Sequence, residues 1–293
     1  FFFYFLLLHG LADLLGFAVR RTGRTLPARP VFRGVVLASI CIVAFGLWQA
    51  RNIQVRHHTL RSSRIRTPIR IMHLSDIHFS AITGTDMARK LAWYVEEWRP
   101  DIILHTGDFR DRGIMQEREL CAIWSRIRPP LGKWAVTGNH EYISSIPFSE
   151  RIHSACGFTL LRNRSVNLPN NPTLVGVDDD SAPRFTGEPP ADERGLLKKV
   201  PAHRYTILLK HQPRVKDSSV GLFDLMLSGH THAGQLFPAS IVVPLLFPRC
   251  KGRFQLSPRS VLIVSTGTGT WGPSVRVGTT PEILIYDLLP APQ

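Results

Sequence analysis

The chain has 293 residues, enough for one large domain or two small ones with a buried core. Its formal net charge of +14 is concentrated at one end: residues 1–70 contain eleven arginines and one acidic residue, whereas the remaining 25 basic and 21 acidic residues leave only +4. A nearly neutral main domain without a basic and aromatic stripe does not support nucleic acid as a stable partner.

The first fifty residues contain two apolar runs of nearly membrane-spanning length, at 1–19 and 35–50, separated by an arginine-rich segment. About 20 mostly apolar residues cross a bilayer, so we expect residues 1–50 to be an integral anchor in the cell membrane with two transmembrane helices. A cleaved signal peptide is the alternative and suits two such runs less well. Because the chain begins without methionine, we expect further sequence upstream. Five arginines precede the second run and six follow it closely, so the side of the membrane that carries the main domain stays open.

Residues 51–68 are polar and arginine-rich, and we interpret them as a connector to a main domain over 69–293. The first half of that domain alternates strand and helix patterns, with strands at 69–75, 102–106 and 133–137 and helical stripes at 85–98 and 120–127. The second half is richer in strands, at 173–177, 205–210, 224–228, 261–266 and 282–288, and has a polar surface loop at 178–195. This order predicts an α/β sandwich with mixed sheets.

Polar side chains follow five of the predicted strands at their carboxyl ends, where the loops of α/β sheets collect ligands. The seven that suit a metal are Asp76, His78, Asp108, Asn139, His211, His230 and His232. Oxygen and nitrogen donors without sulfur suit a divalent ion such as Mn, Fe or Zn. Seven ligands exceed one tetrahedral site and suit two ions, about 3.5–4 Å apart, that share a bridging carboxylate. His73 and His105 lie on strands, where we expect them to be packing residues.

The four cysteines are widely spaced and contain no CxxC pair. One of them, Cys41, lies in the second apolar run. This distribution indicates neither a disulfide framework nor a zinc–thiolate site.

The polar motifs together resemble the calcineurin-like metallophosphoesterases, and within them the bacterial membrane-anchored phosphodiesterase branch. The motifs are DIH at 76–78, GDFRD at 107–111, GNHE at 138–141, KHQP at 210–213 and GHTH at 229–232. The resemblance covers roughly residues 69–289. It implies an α/β/β/α sandwich with two mixed sheets behind N-terminal transmembrane helices. It also implies a metal-dependent phosphoric ester hydrolase that cleaves a phosphodiester or pyrophosphate bond.

The resemblance further implies a role for each motif residue. One ion would be bound by Asp76, His78, Asp108 and His232, and the other by Asp108, Asn139, His211 and His230. His140 would act as a general acid or stabilise charge near the leaving group, with Asp111 as its orienting partner. The motif GDFRDRG departs from the usual pattern, and its Arg112 would contact substrate phosphate; a solvated surface side chain is the alternative. Ala233 replaces a usual glycine but removes no ligand.

Two questions stay open at this point. A non-catalytic membrane receptor or scaffold that retains the fold is the alternative to an enzyme, and the loss of a ligand would favour it; none is missing. The apolar segment 236–248 contains three prolines, so we expect neither a regular strand nor a regular helix. It is either a buried loop on the sheet or an exposed lip that receives the acyl chains of a lipid-linked phosphoester substrate at the membrane.

Overall fold

The computed structural model describes residues 1–81, 84–111, 116–169 and 172–292. The strands within these ranges are β1 (Gln54–Ser62), β2 (Ile69–Leu74), β3 (Ile102–His105), β4 (Lys133–Ala135), β5 (Thr159–Leu160), β6 (Arg164–Asn167), β7 (Thr173–Gly176), β8 (Thr206–Leu209), β9 (Leu225–Ser228), β10 (Gly252–Gln255), β11 (Val261–Val264) and β12 (Glu282–Pro290). The helices are α1 (Phe2–Arg20), α2 (Ala28–Arg51), α3 (Gly84–Trp98), α4 (Glu117–Arg126), α5 (Asn139–Ser144), α6 (Ile146–Ala155), α7 (Ala182–Thr186), α8 (Glu193–Lys198) and α9 (Ala239–Leu246).

The strands form two mixed six-stranded sheets, which confirms the predicted fold class. The first sheet has the order β1-β12-β2-β3-β4-β5, and the second has the order β10-β11-β9-β8-β7-β6. Strands β2, β3 and β4 are parallel to one another, as are β7, β8, β9 and β11. Parallel strands end at the same edge of a sheet, so the loops that follow them lie side by side.

Three apolar clusters define the layers. The middle cluster joins the facing sides of the two sheets through residues such as Ile71, Leu104 and Leu209. A second cluster packs the outer side of the first sheet against the helices α3, α4 and α6, and a third packs the outer side of the second sheet against Leu197 of α8. Strands buried on both faces need continuous apolar runs, which is why β3, β8 and β9 lack the alternation of a half-exposed strand. His73 and His105 are fully buried on their strands, as expected.

The predicted connector at 51–68 is largely wrong, because β1 occupies Gln54–Ser62 and pairs in parallel along the length of β12. Most of its side chains are exposed or half-exposed, so this edge strand carries arginines and histidines rather than an apolar run. The predicted polar loop at 178–195 contains the short helix α7 and the start of α8. Cys121 and Cys156, 35 residues apart, form a disulfide that their spacing did not predict, because α4 and α6 bring them together.

The prediction that segment 236–248 lacks a regular helix is also wrong, because α9 forms there with Pro244 inside it. The proline removes one backbone donor, but the helix is exposed, so water can bond the freed carbonyl. The reading of this segment as a buried loop fails for the same reason. Ile241, Val242, Leu245 and Leu246 are between 50% and 79% exposed.

The two N-terminal helices have the length and composition of membrane spans, and few of their side chains are buried. One of them touches the main domain. The carbonyl of Gly46 in α2 accepts a hydrogen bond of 3.0 Å from the backbone N–H of Arg276, and a side chain at Gly46 would collide with Val275. The neighbouring Val277 carbonyl accepts from the N–H of Phe237, just before α9. The segment 275–277 therefore bonds α2 on one side and the residue two positions before α9 on the other.

Candidate metal centre

The candidate ligands lie on the loops that follow β2, β3, β4, β8 and β9, and the backbone of these loops turns sharply. Asp76, His78, Asp108, His230 and His232 have positive φ angles between 47° and 72°. Such angles are uncommon for residues other than glycine and store strain, which is concentrated at functional sites in proteins. Here the left-handed turns bend the loops after β2, β3 and β9 back soon after their strands, and their side chains converge with those of Asn139 and His211 at one edge of the sandwich.

The first group of converging donors comes from the loops after β2 and β9. Asp76, His78 and His232 present ligand atoms that lie within 4.8 Å of one another, and all three residues are buried. The Nε2 atoms of His78 and His232 are 3.2 Å apart, and Nε2 of His232 is 3.4 Å from a carboxylate oxygen of Asp76.

The second group comes from the loops after β3, β4, β8 and β9. Asp108, His211 and His230 lie within 4.8 Å of one another. The amide oxygen of Asn139 joins them, at 3.3 Å from Nε2 of His211 and 3.1 Å from Nδ1 of His230. Nε2 of His211 and Nδ1 of His230 are 3.2 Å apart. Converging imidazole nitrogens and carboxylates without sulfur are a donor set that fits divalent transition-metal ions.

Several contacts hold the ligand rings and leave their inner nitrogens directed at the site. Nδ1 of His211 lies 2.7 Å from the carbonyl of Thr106, and Nδ1 of His78 lies 2.8 Å from Asp111. A ring N–H that donates to a carbonyl or carboxylate leaves the other nitrogen as the metal donor. The neighbouring imidazoles, led by His211, outweigh the effect of burial and hold the pKa of Asp108 well below its usual value.

His140 and Asp111 form a pair at the side of the first group. Nδ1 of His140 is 3.0 Å from Oδ1 of Asp111, and its ring lies edge-on to His78 at 4.6 Å. Burial by itself would lower the pKa of His140, but the hydrogen bond to Asp111 and the charge of Asp108 raise it. Burial would raise the pKa of Asp111, but its bonds to His140 and His78 lower it. Arg112 lies outside the described residues, and Arg110 packs over the ring of Phe148.

Two glycines are required by close approach. A Cβ on Gly138 would collide with the carboxylate of Asp108, and one on Gly229 would collide with the side chains of Ser75 and Asp76. At each glycine, the backbone of one ligand-bearing loop lies against a side chain of another loop, with no room for a Cβ. Both glycines are therefore needed for the geometry of the site.

The sequence analysis missed two buried residues that support the loops. The carboxylate of Glu141 accepts the backbone N–H groups of Asp108, Phe109 and Gly138 at 2.6–2.9 Å, and its signal was the last letter of GNHE. Arg276 is fully buried; its Nη2 lies 3.2 Å from Nδ1 of His232 and donates to the carbonyls of Gly267 and Gly269. No motif in the sequence singles out Arg276.

Apolar rings border the site on the side of α9. The ring of Phe247, the residue after α9, lies 5.3 Å from that of His230. Trp271 is 58% exposed, and its ring lies 6.5 Å from that of His140. We call the exposed apolar side chains of α9, together with these two rings, the apolar rim.

A family model described as calcineurin-like phosphoesterase matches residues 69–234. An uncharacterized metallophosphoesterase from Aquifex aeolicus is 34% identical over 85% of this chain and 97% of its own length. A transmembrane protein with metallophosphoesterase domain from Danio rerio is 30% identical over 96% of this chain and 69% of its own length. A crystal structure of a dimetal phosphatase from Danio rerio aligns with 68% of this chain and 87% of its own, at 14% identity and a TM-score of 0.45.

The family match spans the strands and loops that carry every candidate ligand of the site. The relative from Danio rerio is named as a transmembrane protein. That name and the apolar helices α1 and α2 together indicate that this chain associates with a membrane. The chain belongs to the calcineurin-like phosphoesterase family, whose members are metal-dependent phosphoester hydrolases.

Proposed function

We propose that this protein is an integral membrane enzyme that hydrolyses a phosphodiester or pyrophosphate bond in a lipid-linked substrate at a two-metal centre. One observation carries the two-metal part. A single oxygen of Asp108, Oδ2, lies 3.6 Å from Nε2 of His78 and 3.3 Å from Nε2 of His211. One carboxylate thus faces both groups of donors, as a bridging ligand must.

The two groups of donors support the same division of ligands that the family motifs imply. Asp76, His78, His232 and Asp108 would hold one ion, and Asp108, Asn139, His211 and His230 would hold the other. Manganese, iron and zinc all accept such oxygen and nitrogen donors. When bound, two divalent ions supply positive charge that polarises a phosphoryl group and lowers the pKa of water.

The chain's own residues would supply the proton and the orientation. His140 lies beside the first group of donors, so it is placed to give a proton to the departing oxygen or to stabilise its charge. The carboxylate of Asp111 fixes the ring of His140 through Nδ1 and leaves Nε2 free for this role. Asp111 also bonds His78, so it is a positioning residue for both.

The apolar rim supports the lipid-linked part of the proposal. Leu245 and Leu246 are 79% and 70% exposed, and Phe247 directly after them reaches the ring of His230. An exposed apolar helix beside a polar site suits a substrate that has both an apolar and a polar part, because the helix can cover the apolar part and keep it from water. Segment 275–277 bonds both Gly46 of α2 and Phe237, two residues before α9, which supports a position of this rim near α2.

Metal analysis of the full chain in detergent micelles, followed by hydrolysis assays, tests the two-metal part. We expect two divalent ions per chain and turnover of a phosphodiester or pyrophosphate above that of a monoester. Two ions with no turnover of any of the three substrate types would instead favour a non-catalytic receptor or scaffold.

A comparison of a short-chain and a diacylated phosphodiester in mixed micelles tests the lipid part. Leu245→Ser and Leu246→Ser should each lower turnover of the diacylated substrate and leave turnover of the short one unchanged. Trp93→Ser is the control, because Trp93 is a 56% exposed apolar residue on α3 that belongs neither to the apolar rim nor to the candidate ligands. Equal losses on both substrates with a lower melting temperature would show that α9 has a structural role and would refute the lipid part.

A further inference from the structure

A cavity whose lining contains none of the candidate metal ligands lies beside the edge strands of the two sheets. It has a volume of about 470 Å³ and is lined by β1 and β10, the edge strands of the two sheets, together with the segment 278–280. We call it the edge groove. Its volume lies within the range of about 300–1,000 Å³ that is usual for small-molecule sites.

The walls of the edge groove carry an excess of positive charge. Arg56 and His58 project from β1, and Lys251 and Arg253 come from the start of β10. Among the lining residues that the structure describes, Glu282 is the one acidic side chain. It is buried and already paired: Arg56 binds one carboxylate oxygen at 2.8 Å, and the other oxygen accepts the N–H of Thr266.

Two of these cations lack a partner among the described residues. Lys251 and Arg253 form neither a hydrogen bond nor an ion pair with any residue in 1–81, 84–111, 116–169 or 172–292. The charge of Arg253 nevertheless affects another residue of the groove. Burial lowers the pKa of His58, and the charge of Glu282 raises it. The positive charges of Arg253 and Arg56 lower it further. The groove therefore presents two uncompensated positive charges on one wall, with a guanidinium that can bind an anion bidentately.

The position and lining of the edge groove indicate which class of ligand it would bind. Arg56 follows the end of α2 by five residues, so the groove begins within about 18 Å of that helix. Part of its lining is apolar, from Ile263, Val264 and Leu284. A phosphate group attached to an apolar or neutral body matches this combination of charge and surface.

We propose that the edge groove binds a phosphate-bearing ligand through Lys251 and Arg253, independently of the metal centre. Two sources supply this chemistry: the headgroup of an anionic phospholipid in the membrane that holds α1 and α2, and a free phosphate compound. This inference does not rest on the proposed hydrolysis, because none of its residues is a candidate ligand or acid.

Hydrogen exchange of the full chain in lipid nanodiscs tests the proposal, because β10 is an edge strand whose unpaired amides exchange readily. Three conditions are compared: phosphatidylcholine alone, phosphatidylcholine in which about one lipid in five is phosphatidylglycerol, and phosphatidylcholine with inorganic phosphate. For amides in 251–255 that exchange only while the groove is empty, a ligand at ten times its Kd should slow exchange about tenfold. Slowing with phosphatidylglycerol alone identifies the headgroup, whereas slowing with inorganic phosphate identifies free phosphate. Slowing under neither condition overturns the proposal.

Variants locate the effect within the groove. The double substitution Lys251→Gln with Arg253→Gln should remove the slowing at 251–255. Arg194→Gln with Lys198→Gln, an exposed pair on α8, should leave it intact. All four side chains are exposed, so folding is not at risk, and the melting temperature checks this. Slowing that persists in the groove variant overturns the proposal.

Discussion

The candidate metal centre and the exposed apolar side chains of α1, α2 and α9 have opposite surroundings. At the metal centre, polar side chains such as Asp76 and Asp108 are almost fully buried and bonded from several sides. On these helices, side chains such as Leu14, Leu37 and Leu245 are more than 60% exposed and lack the protein contacts of a core. The donors of the first region fit metal ions, and the exposed side chains of the second have the composition of a membrane-associated surface. The comparison indicates that each region matches a partner of its own polarity.

The largest change should come from Asp108→Asn, which affects only the polar region. An amide lacks the charge that would hold two cations together, so we expect loss of bound metal and a fall in turnover on the order of 10³-fold or more. Metal analysis and an activity assay measure this. Asp86→Asn is the control, since Asp86 is exposed on α3. A variant that kept both ions would show that Asp108 is not a bridge.

A smaller loss is expected from His140→Ala, which separates chemistry from metal binding within the same region. Removing a general acid lowers turnover by about 10²-fold or more, while the seven candidate ligands are unchanged. Metal content should stay at the wild-type level, and His203→Ala, an exposed histidine, should have no effect. If His140→Ala lost metal as completely as Asp108→Asn, His140 would be a ligand rather than an acid.

Glu141→Gln tests whether a buried residue that holds the ligand loops in place contributes to metal affinity. A glutamine turns a donor toward one of the N–H groups of Asp108, Phe109 or Gly138, so the loop that carries Asp108 should shift. We expect metal affinity to fall by about 10-fold to 100-fold, as for other residues that hold ligands in place. Glu150→Gln on the surface is the matched control. Unchanged affinity would mean that the loop holds its shape without Glu141.

Gly46→Val tests the place where the two regions meet. The new side chain would collide with Val275 and Val277, so we expect a loss of about 1–3 kcal/mol of stability, measured as a lower melting temperature in micelles. Gly34→Val introduces the same group in the same helix at a position with open space around it. Equal melting temperatures for the two variants would show that α2 does not pack on the domain.

The smallest expected effect is that of high salt on membrane attachment. Salt screens the attraction between arginines and lipid headgroups but does not remove a buried apolar helix from a bilayer. The full chain should therefore stay in the membrane pellet after a high-salt wash and leave it only with detergent. Release of the intact chain by salt would show that the arginine-rich N-terminal part binds the membrane surface only and does not span the bilayer.

The sequence predicted the ligand-bearing loops well because each follows an uninterrupted apolar strand. The motifs at Asp76, Asp108, Asn139, His211 and His230 mark strand ends, and parallel strands must end together. The strands β2, β3 and β9 are confirmed within two residues of their predicted bounds. The roles of the ligands and of His140 stay predictions.

The sequence could not predict features that depend on distant neighbours. Strand β1 has one paired edge and few buried side chains, so nothing in its own residues distinguishes it from a linker. Arg276 supports His232 only because the chain returns to the site 44 residues later. The exposure of α9 likewise depends on the rest of the fold, because it is set by which other elements pack against the helix. Composition alone cannot distinguish an apolar segment that faces a core from one that faces solvent or lipid.

The short link between α2 and β1 determines how this enzyme would meet its substrate. Only Asn52 and Ile53 separate the two elements, a reach of about 11 Å at full extension. With α2 in a bilayer, the domain stays at a fixed height and orientation instead of moving at the end of a loose tether. For the lipid-linked substrate proposed above, turnover would then depend on the mole fraction of substrate in the membrane rather than on its bulk concentration. Diluting the substrate with inert lipid would slow the reaction, whereas adding buffer would not.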